Sequence, residues 1–224
     1  MGDVIVNLLP LIVGAAAVPL YSIAVLLLLQ SEGGLLKAFA FVAGSVTVRL
    51  VQGVLFGLVF GPACKANSEP GPRLIVSTLL LIVGVLLLVT VFKQWRKRDD
   101  PDAPTPQWMS AIGGLSALKA VGAGALFPVI AVKQWVFTLS AIGVIGEVGP
   151  GGVADVGAYL FFVLATQTLV LAPILAFALA PDRTAKTLQA TQAWLERNNR
   201  AIVIVMSLVF GVWFLFKGIT GLIV

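Results

Sequence analysis

Arg49 and Lys133 stand in the middle of runs that are otherwise built for hydrocarbon. Arg49 interrupts the apolar stretch from Ala38 to Gly61, in SVTVRLVQGVLFG, and Lys133 interrupts FPVIAVKQWVF. Arg49 is 12 residues from Lys37 and 12 from Gly61. On a helix that is about 18 Å from either end, close to mid-membrane and too deep for comfortable snorkelling. A cation facing lipid there costs roughly 2.5–3.5 kcal/mol on insertion scales, so both residues are expected to face the interior. The usual partner is a carboxylate, yet no Asp or Glu lies well inside a predicted span. What remains is carbonyls freed near Pro19, Pro128 and Pro173, the side-chain amides of Gln52, Gln134 and Gln167, water, or an anionic ligand. A central cation without a protein counter-ion suits capture of a carboxylate or phosphate. The competing reading is a structural cation satisfied by carbonyls and amides.

Such residues need helices to hold them, and the composition supplies these. Of 224 residues, 59% are hydrophobic and 11% charged, with a mean hydropathy of +1.03. A water-soluble domain carries roughly a quarter charged residues, so this chain lacks enough to cover its surface. Six runs approach the roughly 20 residues that cross a bilayer as helix: Val4–Leu29, Leu36–Phe60, Leu74–Phe92, Leu118–Ile145, Val153–Leu179 and Ala201–Ile223. Gly- and Pro-rich or charged connections separate them, including QSEGG, GPACKANSEPGPR and GEVGPGG. The expected fold is an all-α polytopic membrane protein.

Charge sets orientation. The first, third and fifth connections hold nine Lys and Arg residues; the opposite side has only Lys65 and Arg73. The cation-rich side belongs in the cytoplasm of a plasma-membrane protein, which puts both termini outside. The net charge of +5 therefore reports topology, and no basic domain stands outside the membrane to bind nucleic acid. Cys64 is alone, which excludes an intramolecular disulfide, and without histidine no zinc site of the usual types is expected. No P-loop, cofactor motif or nucleophile beside a base is present, so neither a cofactor nor an enzyme is expected. The start, MGDVIVNLLP, has no basic n-region and reads as a first transmembrane helix.

The chain repeats itself. VGAAAVP at Val13–Pro19 is similar to VGAGALFP at Val121–Pro128, and Arg73 precedes Gly84 by the same 11 residues as Arg200 precedes Gly211. A repeat of three spans inserts its copies with opposite topology, which predicts two inverted three-helix repeats over residues 1–109 and 110–224. Pro19 and Pro128 then fall in corresponding places, where a lost backbone hydrogen bond lets a helix bind or bend. Arg183–Arg197 places Ala185, Leu188 and Leu195 near one face, with Trp194 beside them, and reads as an interfacial helix. Gly53, Gly57 and Gly61 form a ridge for close helix approach, either within the chain or across a homodimer.

Four stretches carry a family resemblance: VPLYSIAVLLLL, FKQWRKR, VKQWVFTLSAIG and AWLERNNRAIVIVMSLVFGVWFLFKGI. Together they resemble the peptidoglycolipid-addressing, or sulfolipid-addressing, family of the lysine-exporter superfamily, over nearly the whole chain. The resemblance implies six helices in two inverted repeats and an export role, with glycolipids as cargo in the family and amino acids or ions in the wider superfamily. Many superfamily members carry Asn-Pro-Lys in mid-fourth helix; Ala131-Val132-Lys133 keeps the lysine alone. The leading expectation is a secondary-type exporter or flippase for an anionic amphipathic substrate such as a lipid or glycolipid. Arg49 and Lys133 would attract its head, Gln52 and Gln134 would assist, and Gln167 would face Arg49; Pro19, Pro128 and Pro173 would break or gate helices. Export of a small solute, or a non-transporting scaffold for lipid-export machinery, are the alternatives.

Overall fold

Proline, and one pair of turn hydrogen bonds, cut the apolar runs where the sequence leaves room. The structure, a computed structural model, describes residues 2–16, 18–65, 71–96, 111–149 and 151–223. The side chains at 59–65, 71–73, 75–76, 79, 132–133, 148, 182 and 185 lie outside the description, Cys64 and Lys133 among them. The helices are α1 (Gly2–Ala16), α2 (Pro19–Leu29), α3 (Gly34–Lys65), α4 (Gly71–Arg96), α5 (Ala117–Ile130), α6 (Val132–Val148), α7 (Val153–Thr166), α8 (Thr168–Leu179) and α9 (Pro181–Ile223). No strand occurs among the described residues. Over Gly34–Leu58 and Lys186–Ile223, α3 and α9 are long and apolar enough to cross a bilayer; counting each bent pair as one span raises the number to five. The protein is an all-helical, membrane-embedded chain.

The bent pairs are α1/α2 at 59°, α5/α6 at 70° and α7/α8 at 59°. Pro19 opens α2 at a position where its missing N–H costs nothing, behind an extended Val18. Ala131, with ψ 87°, links α5 to α6 three residues after Pro128. The third break corrects an expectation, because Pro173 lies inside α8 and the chain turns at Gln167 instead. There the Gln167 N–H donates to the Leu164 carbonyl, and its own carbonyl accepts from Val170 and Leu171. The turn is closed by hydrogen bonds and needs no proline.

These breaks separate two apolar cores. One joins α1, α4, α6, α7 and the later part of α9 around Leu8, Phe137, Phe162 and Phe214. The other joins α2, the start of α3, α5, α8 and the early part of α9 around Leu28, Phe41, Ile174 and Leu188. Each broken span gives one half-helix to each core, so the breaks lie between them.

Two glycine contacts bring helix backbones together. A Cβ on Gly84 of α4 would lie 2.9 Å from the Leu215 nitrogen and 3.0 Å from the Gly211 carbonyl of α9. A Cβ on Gly211 would meet Leu88 at 3.0 Å and the Gly84 carbonyl at 3.3 Å. Between α3 and α5, Gly44 sits against the Val121 carbonyl and Gly124 against the Phe41 backbone. The expected ridge on α3 behaves differently. Gly53 takes the Tyr159 ring, and a Cβ on Gly57 would meet nothing within 4 Å, so Gly57 opens a groove rather than seating a helix.

The segment read as an interfacial helix is the first half of α9, continuous with the last span. At 43 residues, α9 runs about 64 Å, roughly twice the hydrocarbon thickness. Leu188 is buried in the second core and Leu195 packs against it, which turns that apolar stripe toward the protein itself. Trp194 stays exposed. Arg200 ties α9 to the end of α4, its Nε donating to the Gln94 carbonyl at 2.9 Å and Nη2 to Trp95 at 3.0 Å. Lys217 is exposed with Nζ 5.5 Å from the Trp213 ring centroid, and Lys119 is exposed too.

Candidate functional site

Ser45, Arg49 and Gln52 fall at i, i+4 and i+7 on α3 and so share one face. All three are buried, Arg49 to 4% exposure, which leaves its charge no route to solvent. The helix breaks supply what it touches. Nη2 donates to Gln134 Oε1 at 2.8 Å, and Nη1 reaches Thr166 Oγ1 at 3.5 Å. Gln134, three residues past the α5/α6 link at Ala131, spends its side-chain N–H on the Ala15 carbonyl at the end of α1, at 3.2 Å. Thr166 is the last residue of α7 and donates to the Val163 carbonyl at 2.7 Å. One guanidinium therefore binds the ends of two half-helices directly and reaches a third through Gln134. From below, Tyr159 donates to the Arg49 backbone carbonyl at 2.6 Å.

The layer is polar beyond what its own bonds use. Arg49 Nε, both amide atoms of Gln52, both of Gln167, and the hydroxyls of Thr138 and Ser140 have no hydrogen-bond partner among the described residues. Each such group, kept from water, costs about 1–3 kcal/mol. A native fold retains such groups where a water or ligand completes them. The unmet set contains the N–H donors of one guanidinium and two carboxamides, the chemistry that receives an anion's oxygens. No carboxylate accepts from Arg49 among the described residues.

Of the residues singled out by sequence, Arg49 and Gln134 bond directly, and Gln52 lies one turn along the same face. Gln167 is buried at the third break, but its neighbour Thr166 takes the contact with Arg49 that Gln167 was expected to make. Lys133 adjoins Gln134 in the first turn of α6, and its side chain lies outside the described residues. Pro19 and Pro128 adjoin breaks; Pro173 does not. Sequence reasoning missed Thr166, Tyr159, Thr138 and Ser140. Thr138 had a signal, lying four residues after Gln134 and so on its face. Tyr159 had none, because an aromatic in an apolar span reads as packing.

The family model for Sap, the sulfolipid-1-addressing protein, matches residues 8–220. The chain belongs to this family. The match encloses all three breaks and every residue of the polar layer. No curated protein and no solved structure matches the chain.

For this sulfolipid-1-addressing family member, the unpartnered amides give a prediction with opposite signs for stability and activity. Replacing Gln167 by Leu removes a buried amide that has no hydrogen-bond partner among the described residues, so the melting temperature is expected to stay level or rise by a few degrees. If the amide serves a ligand, activity falls in the same preparation. A drop in melting temperature of more than about 4 °C, a loss of roughly 1 kcal/mol or more in a chain this size, would mean that Gln167 is already satisfied.

Proposed function

We propose that the protein moves an anionic amphipathic lipid across the plasma membrane as a secondary-type exporter or flippase, and that Arg49 receives the charged head. The observation that carries the reading is the buried Arg49 guanidinium, held by Gln134 and Thr166 and by no carboxylate among the described residues, with the Gln52 amide one turn along α3 and the Gln167 amide next after Thr166 both unpartnered among those residues. The family name supplies the substrate class. A sulfolipid bears a sulfate or sulfonate group, a fixed anion with several acceptor oxygens that match the guanidinium's fork of donors. Lys133 would add a second cation from the adjacent turn of α6.

In this reading the chain crosses six times, α4 included, as two inverted repeats, the arrangement of the lysine-exporter superfamily. Support comes from the α4–α9 seam. Gly84 and Gly211, matched by their spacing from Arg73 and Arg200, meet each other; the residue four after each, Leu88 and Leu215, packs on the opposite glycine. Reciprocal contacts of this kind are what a two-fold axis produces. Half-helix ends gathered at mid-depth are the usual home of a transporter's substrate.

The test is reconstitution in phosphatidylcholine vesicles with a sulfated glycolipid and its desulfated counterpart placed in one leaflet. The protein should speed movement of the sulfated lipid over the neutral one by at least about tenfold, the worth of ~1.4 kcal/mol of charge recognition. Equal rates for both lipids, or none above protein-free vesicles, would end the reading; movement of a free amino acid instead would favour the small-solute alternative. Sealed cells report orientation, because an impermeant reagent added outside reaches only the outer face. A Cys64→Ser, Arg98→Cys variant should react with an impermeant reagent from the cation-rich side alone.

A further inference from the structure

Two apolar grooves open on the side of the bundle, and α3 measures their positions. The larger, about 400 Å³, is lined by Leu50, Gly53, Gly57, Ile145, Tyr159 and Leu160, among others, from α3, α6 and α7. The smaller, about 230 Å³, is lined by Leu20, Ala24, Phe41, Ile112, Ala123 and Phe127, around α2, α3 and α5. Along α3, Phe41 is about 12 Å from Arg49 toward one end, and Leu58 at the far rim of the larger groove is about 13 Å toward the other. Around the axis Phe41 and Gly57 stand roughly 160° apart. The grooves therefore lie in opposite halves of the membrane, on opposite sides of α3, with Arg49 between their levels.

Each groove approaches the polar layer through a tyrosine. Tyr159 lines the larger groove and bonds the Arg49 carbonyl. Tyr21 stacks on Phe41 and Phe127 of the smaller one, with ring centroids 5.1 Å apart in each case. The rim of the larger groove is largely apolar: Val54, Leu58, Val156 and Leu160 are exposed. Asp155 also lines the larger groove, with its Oδ1 accepting from the Gly151 N–H at 2.9 Å; the other lining is mostly hydrocarbon and gives water few hydrogen bonds, so inside a bilayer an acyl chain fits it.

We infer that the substrate is a lipid that enters and leaves sideways, an acyl chain lying in one groove before transfer and in the other after it while the head passes Arg49. This rests on the transport reading above and specifies its route. A small water-soluble solute would need an opening toward an aqueous face. A lipid needs lateral ones in both halves of the membrane.

The experiment uses the full chain in phosphatidylcholine vesicles containing phosphatidylglycerol with a diazirine at the end of one acyl chain. After illumination, labelled peptides are mapped. Labelling at Val54–Leu58 and Val156–Leu160, and at Leu20–Ala24 and Ala123–Phe127, should exceed several-fold that at Val205 and Val209 on α9, which are exposed outside both grooves. Gly57→Leu, which has room for its side chain, should halve or further reduce labelling of the larger groove and slow lipid movement with no loss of melting temperature. Labelling proportional to exposure everywhere, or enriched in one groove alone, would overturn the inference. So would a folded Gly57→Leu protein that moves lipid at the native rate. If Arg49→Gln were inactive in that case, the transport reading would stand and only the sideways route would fall.

Discussion

Arg49→Gln should insert and fold yet move sulfated lipid at least about 100-fold more slowly than the native protein. Two charge-assisted hydrogen bonds to an anionic head are worth roughly 1.5–3 kcal/mol each, and glutamine supplies neither the charge nor the fork. The stability cost is smaller. The substitution leaves Gln134 Oε1 short of a donor, about 1–3 kcal/mol, but it also removes a buried charge, and these oppose each other. Arg49→Lys keeps the charge and loses the planar geometry, so it should retain part of the rate. Transport and melting curves on the same preparations decide the matter. If both variants lose their melting transition, Arg49 holds the three half-helices together and that is its role. A stable Arg49→Gln protein transporting at the native rate would remove this arginine from the mechanism.

Gly44→Ala should lower stability by about 2 kcal/mol, and Gly44→Leu should prevent assembly. Alanine is the better helix former by ~0.8–1.0 kcal/mol, so local propensity alone predicts a gain. The contact reverses the sign. A Cβ at Gly44 falls on the Val121 carbonyl and 3.0 Å from the Ala125 nitrogen, while Gly124 presses on the Phe41 backbone with its Cβ position 2.9 Å from Phe41 Cα. Neither neighbour is the end of a flexible side chain, so α3 and α5 must separate, at the roughly 1–3 kcal/mol or more typical of overpacking. Gly57→Ala is the control on the same helix: with nothing within 4 Å, it should be neutral or slightly stabilising. Thermal melts followed by tryptophan fluorescence give the comparison. A Gly44→Ala protein that melts at or above the native temperature would contradict the close packing of α3 on α5.

Much of the site was written in the residues themselves. An arginine far from both ends of an apolar run has no inexpensive place except the interior, and that reasoning needs no coordinates. The amides were legible as candidate partners because the spans offer few other polar groups. Their assignment was not. Gln134 and Gln167 both sit in apolar runs, and nothing local says which reaches Arg49. The path of each broken span decides it: the 70° bend at Ala131 brings Gln134 to the guanidinium, while the turn at Gln167 spends that residue's backbone and presents Thr166 instead. Pro173 misled for a related reason. A proline removes one hydrogen bond, but a helix bends where the surrounding packing rewards it.

By itself the sequence determined the membrane class, the helical character, the apolar runs and the interior fate of Arg49. All of these follow from transfer free energies and periodicity, which belong to single residues and their near neighbours. Only the tertiary structure decided that one guanidinium binds two half-helix ends and reaches a third through Gln134, that the Leu188–Leu195 stripe packs on the protein's own core, and that Gly57 opens a groove where Gly44 closes a helix contact. Those outcomes depend on residues about 80 to more than 100 positions apart meeting across the bundle. Composition cannot encode which glycine meets a backbone and which faces open space, because the residue is the same and only its neighbour in space differs.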